Sequence, residues 1–136
     1  MPDTSGSAKT YLSRVRDADC MIQRLCSLRG SLRADLYDGP YCQHTERIIA
    51  RIGELERQID AYVDELVALK LEILSHIRQM ESLPEQNVLI SRYIQLLPWR
   101  KIAAQMHYSQ QQVYRLHGKA LLSFESITRQ QGGKHQ

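Results

Sequence analysis

An apolar stripe in the middle of the chain constrains its fold more than any other feature. Apolar residues recur every three or four positions between Thr45 and Ser82, at Ile48, Ile52, Leu55, Ile59, Tyr62, Leu66, Leu69, Ile73, Ile77 and Met80. That spacing places them on one face of an α-helix, in a heptad-like repeat with one extra residue near Ile73. A helix of this length extends about 54 Å at 1.5 Å per residue. Because a small globule cannot cover such a rod, the stripe must pack against another helix.

A second stripe precedes the first. Residues 8–32 carry apolar side chains mostly three or four positions apart, at Tyr11, Val15, Ala18, Ile22, Leu25 and Leu32. The segment Tyr37-Asp38-Gly39-Pro40 then breaks the helix. Residues 1–83 are therefore predicted to form a long antiparallel helical hairpin or coiled coil that serves oligomerisation. Because the predicted second helix is clearly the longer one, part of its stripe lacks an intrachain partner. This favours a homodimer through the long helices over a purely intrachain core.

The charge is unevenly distributed along the 136 residues. Residues 1–83 hold 11 Lys and Arg against 13 Asp and Glu, whereas residues 84–136 hold seven basic and two acidic residues. The net charge of +3 is therefore the balance of −2 and +5. A compact basic segment beside a nearly balanced one is typical of proteins that contact a polyanion.

Composition and motifs exclude several classes of protein. No apolar run approaches the roughly 20 residues of a membrane span, and the N-terminus lacks the apolar core of an export signal. We therefore expect a cytoplasmic protein without membrane contact. Cys20, Cys26 and Cys42 are an odd count in a chain without an export signal, which argues against a disulfide framework. They are not clustered as zinc ligands would be, so no metal or other cofactor is expected. The chain carries no nucleophile elbow, zinc-protease or Walker motif, and we do not expect an enzyme.

The basic segment, residues 84–136, is predicted to contain three short helices. Ser82, Pro84 and Glu85 resemble a capped helix start with a capping box, which predicts a helix from Pro84 to Leu96. Pro98 separates it from a second helix, Trp99 to Met106. Ser109 is a good N-cap for a third helix, Gln110 to about Ser123, whose predicted inner face is Val113, Leu116, Ala120 and Leu121. Three short helices with about three residues between the last two have helix-turn-helix geometry.

The outer face of the third helix is polar and rich in hydrogen-bond donors. It carries Gln110, Gln111, Tyr114, Arg115 and Lys119, and no acidic residue lies between Glu85 and Glu125. Gln can pair with adenine and Arg with guanine in the major groove of DNA. Arg92, Arg100 and Lys101 are placed to meet backbone phosphates.

Residues 88–124, VLISRYIQLLPWRKIAAQMHYSQQQVYRLHGKALLSF, resemble the region-4 helix-turn-helix of bacterial sigma-70 factors. They are particularly similar to the sigma-region-4-like proteins of phages and mobile elements, including ArpU-like late transcriptional regulators. The resemblance implies promoter-type recognition of double-stranded DNA. It implies that Gln110, Gln111 and Arg115 face bases, that Arg92 and Gln112 meet phosphates, and that Tyr114 lies near either. Ser109 completes this candidate DNA-binding set.

The sequence thus predicts an all-α protein with three parts. Residues 1–83 form the hairpin, residues 84–128 the helix-turn-helix domain, and residues 129–136 a disordered tail. The main hypothesis is a sequence-specific transcriptional regulator of phage or mobile-element type that binds DNA as a homodimer. One alternative is a DNA-packaging protein like the small subunit of a phage terminase, which also combines a helix-turn-helix with oligomerising helices. The other is an accessory factor that docks on RNA polymerase.

Overall fold

The computed structural model describes residues 4–37 and 43–134, and every regular element within these two ranges is a helix. In chain order the helices are α1 (Thr4–Tyr37), α2 (Gln43–Ile77), α3 (Leu83–Leu89), which continues into a π-helical segment (Ile90–Ile94), α4 (Trp99–Met106) and α5 (Gln110–Lys134). The predicted all-α class is therefore confirmed. The predicted breaker at Asp38-Gly39-Pro40 lies outside the described residues.

The two long helices end at positions that the sequence analysis did not predict. α1 has 34 residues and α2 has 35, so the predicted difference in length, from which a homodimer was inferred, is wrong. α1 exceeds its predicted range, residues 8–32, by four residues at its start and five at its end. α2 ends at Ile77, before Ser82, because a tight turn follows in which the Met80 backbone N–H donates to the Ile77 carbonyl at 2.9 Å.

The chain divides into two compact units. Residues 1–16 and 69–136 form one, called the terminal unit, and residues 17–68 form the other, called the central unit. Both long helices therefore contribute to both units, and the division does not coincide with the predicted boundary between residues 83 and 84. The terminal unit holds twelve Lys and Arg against five Asp and Glu, a net charge of +7, whereas the central unit has a net charge of −4.

The terminal unit is built around a continuous apolar core. Its fully buried side chains come from all five helices: Leu12, Val15, Ile73, Ile77, Val88, Leu89, Ile102, Val113 and Phe124. Rings pack beside them, with Phe124 6.1 Å from Tyr11 and 5.8 Å from His76 between ring centroids. The Tyr11 hydroxyl donates to the Glu72 carboxylate, and burial together with this carboxylate raises the pKa of Tyr11. The start of α1 is thereby held on the end of α2.

The central unit pairs the remaining turns of α1 and α2. Arg33 of α1 contacts Glu56 of α2, with 2.6 Å between Nη2 and Oε1. The α2 face of this unit is buried at the predicted positions Ile48, Ile52, Leu55, Ile59 and Leu66. The predicted α1 residues are covered less completely, since Ile22, Leu25 and Leu32 are half-buried. Large apolar side chains also remain exposed in this unit, at Met21, Leu28, Ile49, Val63 and Val67.

The start of α3 shows one predicted contact and one that was not predicted. The Ser82 hydroxyl oxygen accepts the Glu85 backbone N–H at 3.4 Å, so Ser82 is the N-cap. The Glu85 carboxylate does not complete a capping box. Its Oε1 accepts a hydrogen bond from the Ser123 hydroxyl of α5 at 2.6 Å. This bond joins α3 to α5 and gives the partly buried carboxylate a donor.

α5 continues well beyond its predicted end near Ser123. Phe124 is fully buried and Ile127 is half-buried, so the apolar face persists for another turn. Arg129 then lies 3.5 Å from Glu125, Nε to Oε1, one turn apart along the helix. The predicted disordered tail is therefore wrong for residues 129–134, which are helical. Residues 135 and 136 lie outside the described part of the chain.

Candidate nucleic-acid interface

The connection between α4 and α5 is short and fully hydrogen-bonded. His107 adopts a left-handed conformation with φ 60°. The Tyr108 N–H donates to the Ala103 carbonyl at 3.0 Å, and the His107 N–H donates to the Ala104 carbonyl at 3.3 Å. This pair of bonds is the Schellman motif, which ends a helix and turns the chain sharply. Three residues therefore separate the end of α4 from the start of α5, and their backbone conformation sets the angle between the two helices.

The first turn of α5 is closed by two reciprocal hydrogen bonds. The Ser109 hydroxyl oxygen accepts the Gln112 N–H at 3.1 Å, and Gln112 Oε1 accepts the Ser109 N–H at 2.8 Å. This is the capping box, and the predicted N-cap role of Ser109 is confirmed. Ser109 and Gln112 were also predicted to contact DNA. Their side chains are exposed, but each is already engaged with the other.

The inner face of α5 holds the helix in the core. Val113, Ala120 and Leu121 are buried as predicted, but the fourth predicted residue, Leu116, is only half-buried. His117 is buried instead, and its Nε2 lies 2.7 Å from the Tyr93 hydroxyl oxygen. This hydrogen bond makes the burial of an imidazole possible, because a buried polar group without a partner would be costly. The apolar Leu116 is thus only half-buried, whereas the polar His117 next to it is buried, which is the reverse of what their hydrophobicity predicts.

Burial and nearby cations keep His117 uncharged. They lower the pKa of His117 to about 4, with burial as the largest cause and Lys9 and Arg92 as the others. Burial likewise raises the pKa of Tyr93 to about 12. Both groups are therefore neutral at pH 7. Their hydrogen bond joins the π-helical segment to α5 without placing a charge in the core.

The outer face of α5 is exposed as predicted. Gln110, Gln111, Arg115 and Lys119 are exposed, and 49% of the Tyr114 surface is accessible. We call these five residues the α5 outer face. Arg100 and Lys101 are also exposed, in the first turn of α4. The two carboxylates nearest in sequence are engaged elsewhere, Glu85 with Ser123 and Glu125 with Arg129. The structure thus leaves donors and cations, but no carboxylate from residues 86–124, beside this face.

Arg92, the remaining predicted residue, is partly buried. Its guanidinium lies over the Trp99 ring, with Cζ 4.4 Å from the ring centroid, and its Nη1 donates to the Leu97 carbonyl at 3.1 Å. The Trp99 ring in turn meets the rings of Tyr114 at 5.3 Å and His117 at 4.7 Å, edge to face. Arg92 therefore braces the connection from the π-helical segment to α4, where Leu96 adopts a φ of 57°. Burial, followed by the nearby Arg16, lowers the pKa of Arg92.

Three residues near the N-terminus that were not predicted as site residues adjoin this cluster. Lys9, Ser13 and Arg16 of α1 line a cavity together with Arg92, Tyr93, Leu96 and Trp99. Their spacing of four and three places them on one helical face, beside the buried Leu12. That spacing was a usable signal. What it could not show is that this face lies against a helix more than 70 residues further along the chain.

The described residues show neither a metal-binding cluster nor a helix that could cross a membrane. Among the described residues there is no group of three or more His, Cys, Asp and Glu side chains that could hold a metal ion. Cys20 is exposed, Cys26 is half-buried, and Cys42 lies outside the described residues. None of the described helices combines the length and the apolar character that crossing a bilayer requires.

Comparison with known proteins identifies no relative of this chain. No protein-family model, no curated protein and no solved structure matches it. The geometry of the α4–α5 region and its charge are therefore the basis for a functional assignment.

Proposed function

We propose that this protein is a sequence-specific DNA-binding transcriptional regulator whose α4 and α5 act as a helix-turn-helix. The observation that carries the proposal is the α5 outer face, which is exposed, rich in donors and free of carboxylates, on a helix whose opposite face is anchored in a core. A rigid helix with such a face can enter the major groove of DNA. The net charge of +7 on the terminal unit supports contact with a polyanion.

Each exposed residue has a chemical role in this proposal. Gln110 and Gln111 can form paired hydrogen bonds with adenine, and Arg115 can form them with guanine. Arg100, Lys101 and Lys119 approach backbone phosphates and fix the orientation. The resemblance of residues 88–124 to sigma region 4 supports the same face, and it adds RNA polymerase as a possible second partner. The protein would then act in the cytoplasm, without a cofactor and without catalysis.

Selection from a random duplex pool, followed by one substitution, tests the proposal. The wild-type protein should enrich a defined sequence. Replacing Arg115 by Ala should weaken binding to that sequence by roughly 1–3 kcal/mol and relax the preference at one position, because a bidentate contact to one base is lost. Arg24→Ala is the matched control, since Arg24 is equally exposed but belongs to the central unit. Fluorescence anisotropy with the selected duplex measures both.

The outcome also separates DNA reading from protein docking. If neither the wild type nor the control enriches any sequence, the α5 outer face does not read DNA. If the wild type binds DNA but Arg115→Ala binds equally well, Arg115 has no part in recognition. If the α5 outer face docks on RNA polymerase instead, no DNA sequence is enriched. The wild type then binds polymerase, and Arg115→Ala does not.

Exposed apolar side chains of both units support the homodimer in this proposal. Large apolar side chains are exposed in the central unit, at Met21, Leu28, Ile49, Val63 and Val67, and in the terminal unit, at Leu71, Leu83 and Leu122, and exposed apolar surface favours association. The same feature favours the packaging alternative, in which long helices assemble rings on DNA. Particle mass in solution separates the two: a dimer fits a regulator that reads two half-sites, whereas a ring of many copies fits DNA packaging.

A further inference from the structure

A small basic cavity lies within the terminal unit, beside the start of α4. Lys9, Ser13 and Arg16 of α1 form one side, and Arg92 and Trp99 belong to the other. Its volume is about 140 Å³, well above the roughly 10–15 Å³ that a cavity needs on this measure to hold one water molecule. The cavity is therefore large enough for a small ion with part of its hydration.

The chemistry of the lining favours an anion. Lys9, Arg16 and Arg92 bring three cationic side chains to one space, and no carboxylate is among the lining residues that the structure describes. Ser13 adds a hydroxyl donor. The cations are close enough to influence one another, because Arg16 contributes to the lowered pKa of Arg92. Mutual repulsion of this kind is relieved when an anion binds between the cations.

The start of α4 adds a further positive contribution. Trp99 is the first residue of α4 and lines the cavity. The first backbone N–H groups of a helix have no acceptor within the helix, and the aligned peptide dipoles make this end positive. The Lys101 and Ile102 N–H groups donate to the Pro98 carbonyl at 3.0 and 3.1 Å, which leaves the N–H groups of Trp99 and Arg100 as the ones without an intrahelical acceptor.

The cavity adjoins the face proposed to read DNA. Trp99, in its wall, packs edge to face against Tyr114 of the α5 outer face at 5.3 Å. Arg100 and Lys101, next in sequence, are exposed in the same first turn of α4. A duplex on the α5 outer face would therefore carry its backbone past this corner, where a phosphate oxygen could accept from Ser13 and from the surrounding cations.

We propose that Lys9, Ser13 and Arg16 of α1 complete, with Arg92, a binding site for one phosphate of the DNA backbone. This inference rests on the proposed DNA-binding function and assigns the start of α1 to the same interface. Residues at the two ends of the sequence then act on a single ligand. The division of the chain into units supports it, since residues 1–16 and the α4–α5 region belong to the same compact unit.

The double variant Lys9→Gln, Arg16→Gln in the full-length protein tests the proposal. Both side chains are exposed, so their replacement leaves the core intact, which a thermal unfolding curve verifies. Loss of one phosphate contact should weaken duplex binding roughly three- to tenfold near 0.1 M salt, and should reduce the slope of log affinity against log salt by about 0.9. The control is Arg24→Gln, Arg47→Gln, which removes two exposed cations from the central unit and should change neither quantity.

The outcomes separate this proposal from the proposed function. If the wild type binds no duplex, the proposed function fails and this site fails with it. If the wild type binds DNA and the double variant keeps both its affinity and its salt slope, this site is overturned while the function stands. Should the double variant unfold, the charge-preserving pair Lys9→Arg, Arg16→Lys and the single Arg16→Gln replace it. The charge-preserving pair must then bind the duplex like the wild type, and Arg16→Gln must bind it more weakly.

Inorganic phosphate distinguishes a backbone phosphate from a free anion. Trp99 is the single tryptophan of the chain, so its fluorescence reports on the wall of the cavity. The expected result is that a duplex changes Trp99 fluorescence in the wild type far more than millimolar phosphate does. Saturation by phosphate alone, abolished in the double variant, with unchanged duplex affinity, would show a free-anion site and would overturn the assignment to DNA.

Discussion

The terminal unit and the central unit differ in both charge and core. The terminal unit has a net charge of +7 and the central unit −4. The largest fully buried side chains of the described residues all belong to the terminal unit, from Leu12 to Phe124. In the central unit the α1 stripe is only half-buried. One unit therefore completes its own core and carries the net positive charge, whereas the core of the other stays partly accessible to solvent on its α1 side.

Because α1 runs through both units, substitutions in α1 test the difference between the two cores most directly. Leu12 is fully buried in the terminal unit, and Leu25 is half-buried in the central unit. Leu12→Ala should lower the free energy of unfolding by about 2–5 kcal/mol, because it leaves a cavity in a closed core. Leu25→Ala should cost about 1 kcal/mol, since it removes roughly half of a full burial. Urea denaturation followed by circular dichroism measures both, and equal losses would refute the difference in core completeness.

Leu12 also illustrates what the sequence could and could not predict. The α2 stripe was predicted from its spacing alone, and Ile48, Ile52, Leu55, Ile59 and Leu66 are buried accordingly. Such a regular pattern is local, so it can be read without knowledge of the partner. The α1 stripe was drawn through Tyr11 instead of Leu12, because neighbouring residues differ by only 100° around a helix. Only the nonlocal packing of α1 in the core of the terminal unit distinguishes the two, since it buries Leu12 fully and Tyr11 in part.

The capping residues were predicted for a similar reason. Ser82 and Ser109 each accept an N–H three residues further along the chain, so the signal and the contact lie in the same short segment. The hydrogen-bond partners of Glu85 and His117 were not predicted because they are far away in sequence: Ser123 for Glu85 and Tyr93 for His117. The cavity lined by Lys9, Ser13 and Arg16 was missed for the same reason, since its two sides come from distant parts of the sequence.

The buried His117 should make the folding stability of the terminal unit depend on pH. Its pKa of about 4 in the folded protein lies below the roughly 6.5 of a free imidazole. Between these values the unfolded chain binds a proton that the folded protein does not, so stability must fall as the pH drops. The loss from pH 7 to pH 5 should be on the order of 1 to 2 kcal/mol, after allowance for partial solvent screening.

A matched pair of variants isolates this contribution. His117→Gln should flatten the pH dependence between 5 and 7, because the titrating group is gone while a hydrogen-bonding group for Tyr93 remains. His44→Gln is the matched control, since His44 is exposed in the central unit. Denaturation curves at the two pH values measure the effect. An undiminished slope in His117→Gln would mean that other groups cause it.

The smallest predicted effect comes from replacing two helical glycines by alanine. It separates a change in helix stability from a change in DNA affinity. Gly118 of α5 and Gly30 of α1 both lie inside helices, and an added Cβ would meet no atom within 4 Å at either position. Gly→Ala should therefore stabilise each unit by about 0.5–1 kcal/mol. Gly118, however, lies one turn beyond Tyr114 and Arg115, so it shares their side of the helix.

If that side lies against the bases, the new methyl group at position 118 must lower the affinity for the selected duplex even as it raises stability. Gly30→Ala must then raise stability alone, because the central unit takes no part in recognition. Thermal unfolding and duplex titration on the same two samples measure both properties. Equal duplex affinity for Gly118→Ala and Gly30→Ala would place DNA elsewhere on the terminal unit. A loss confined to Gly118→Ala would locate the contact near the middle of the α5 outer face, where Arg115 and Lys119 lie on either side.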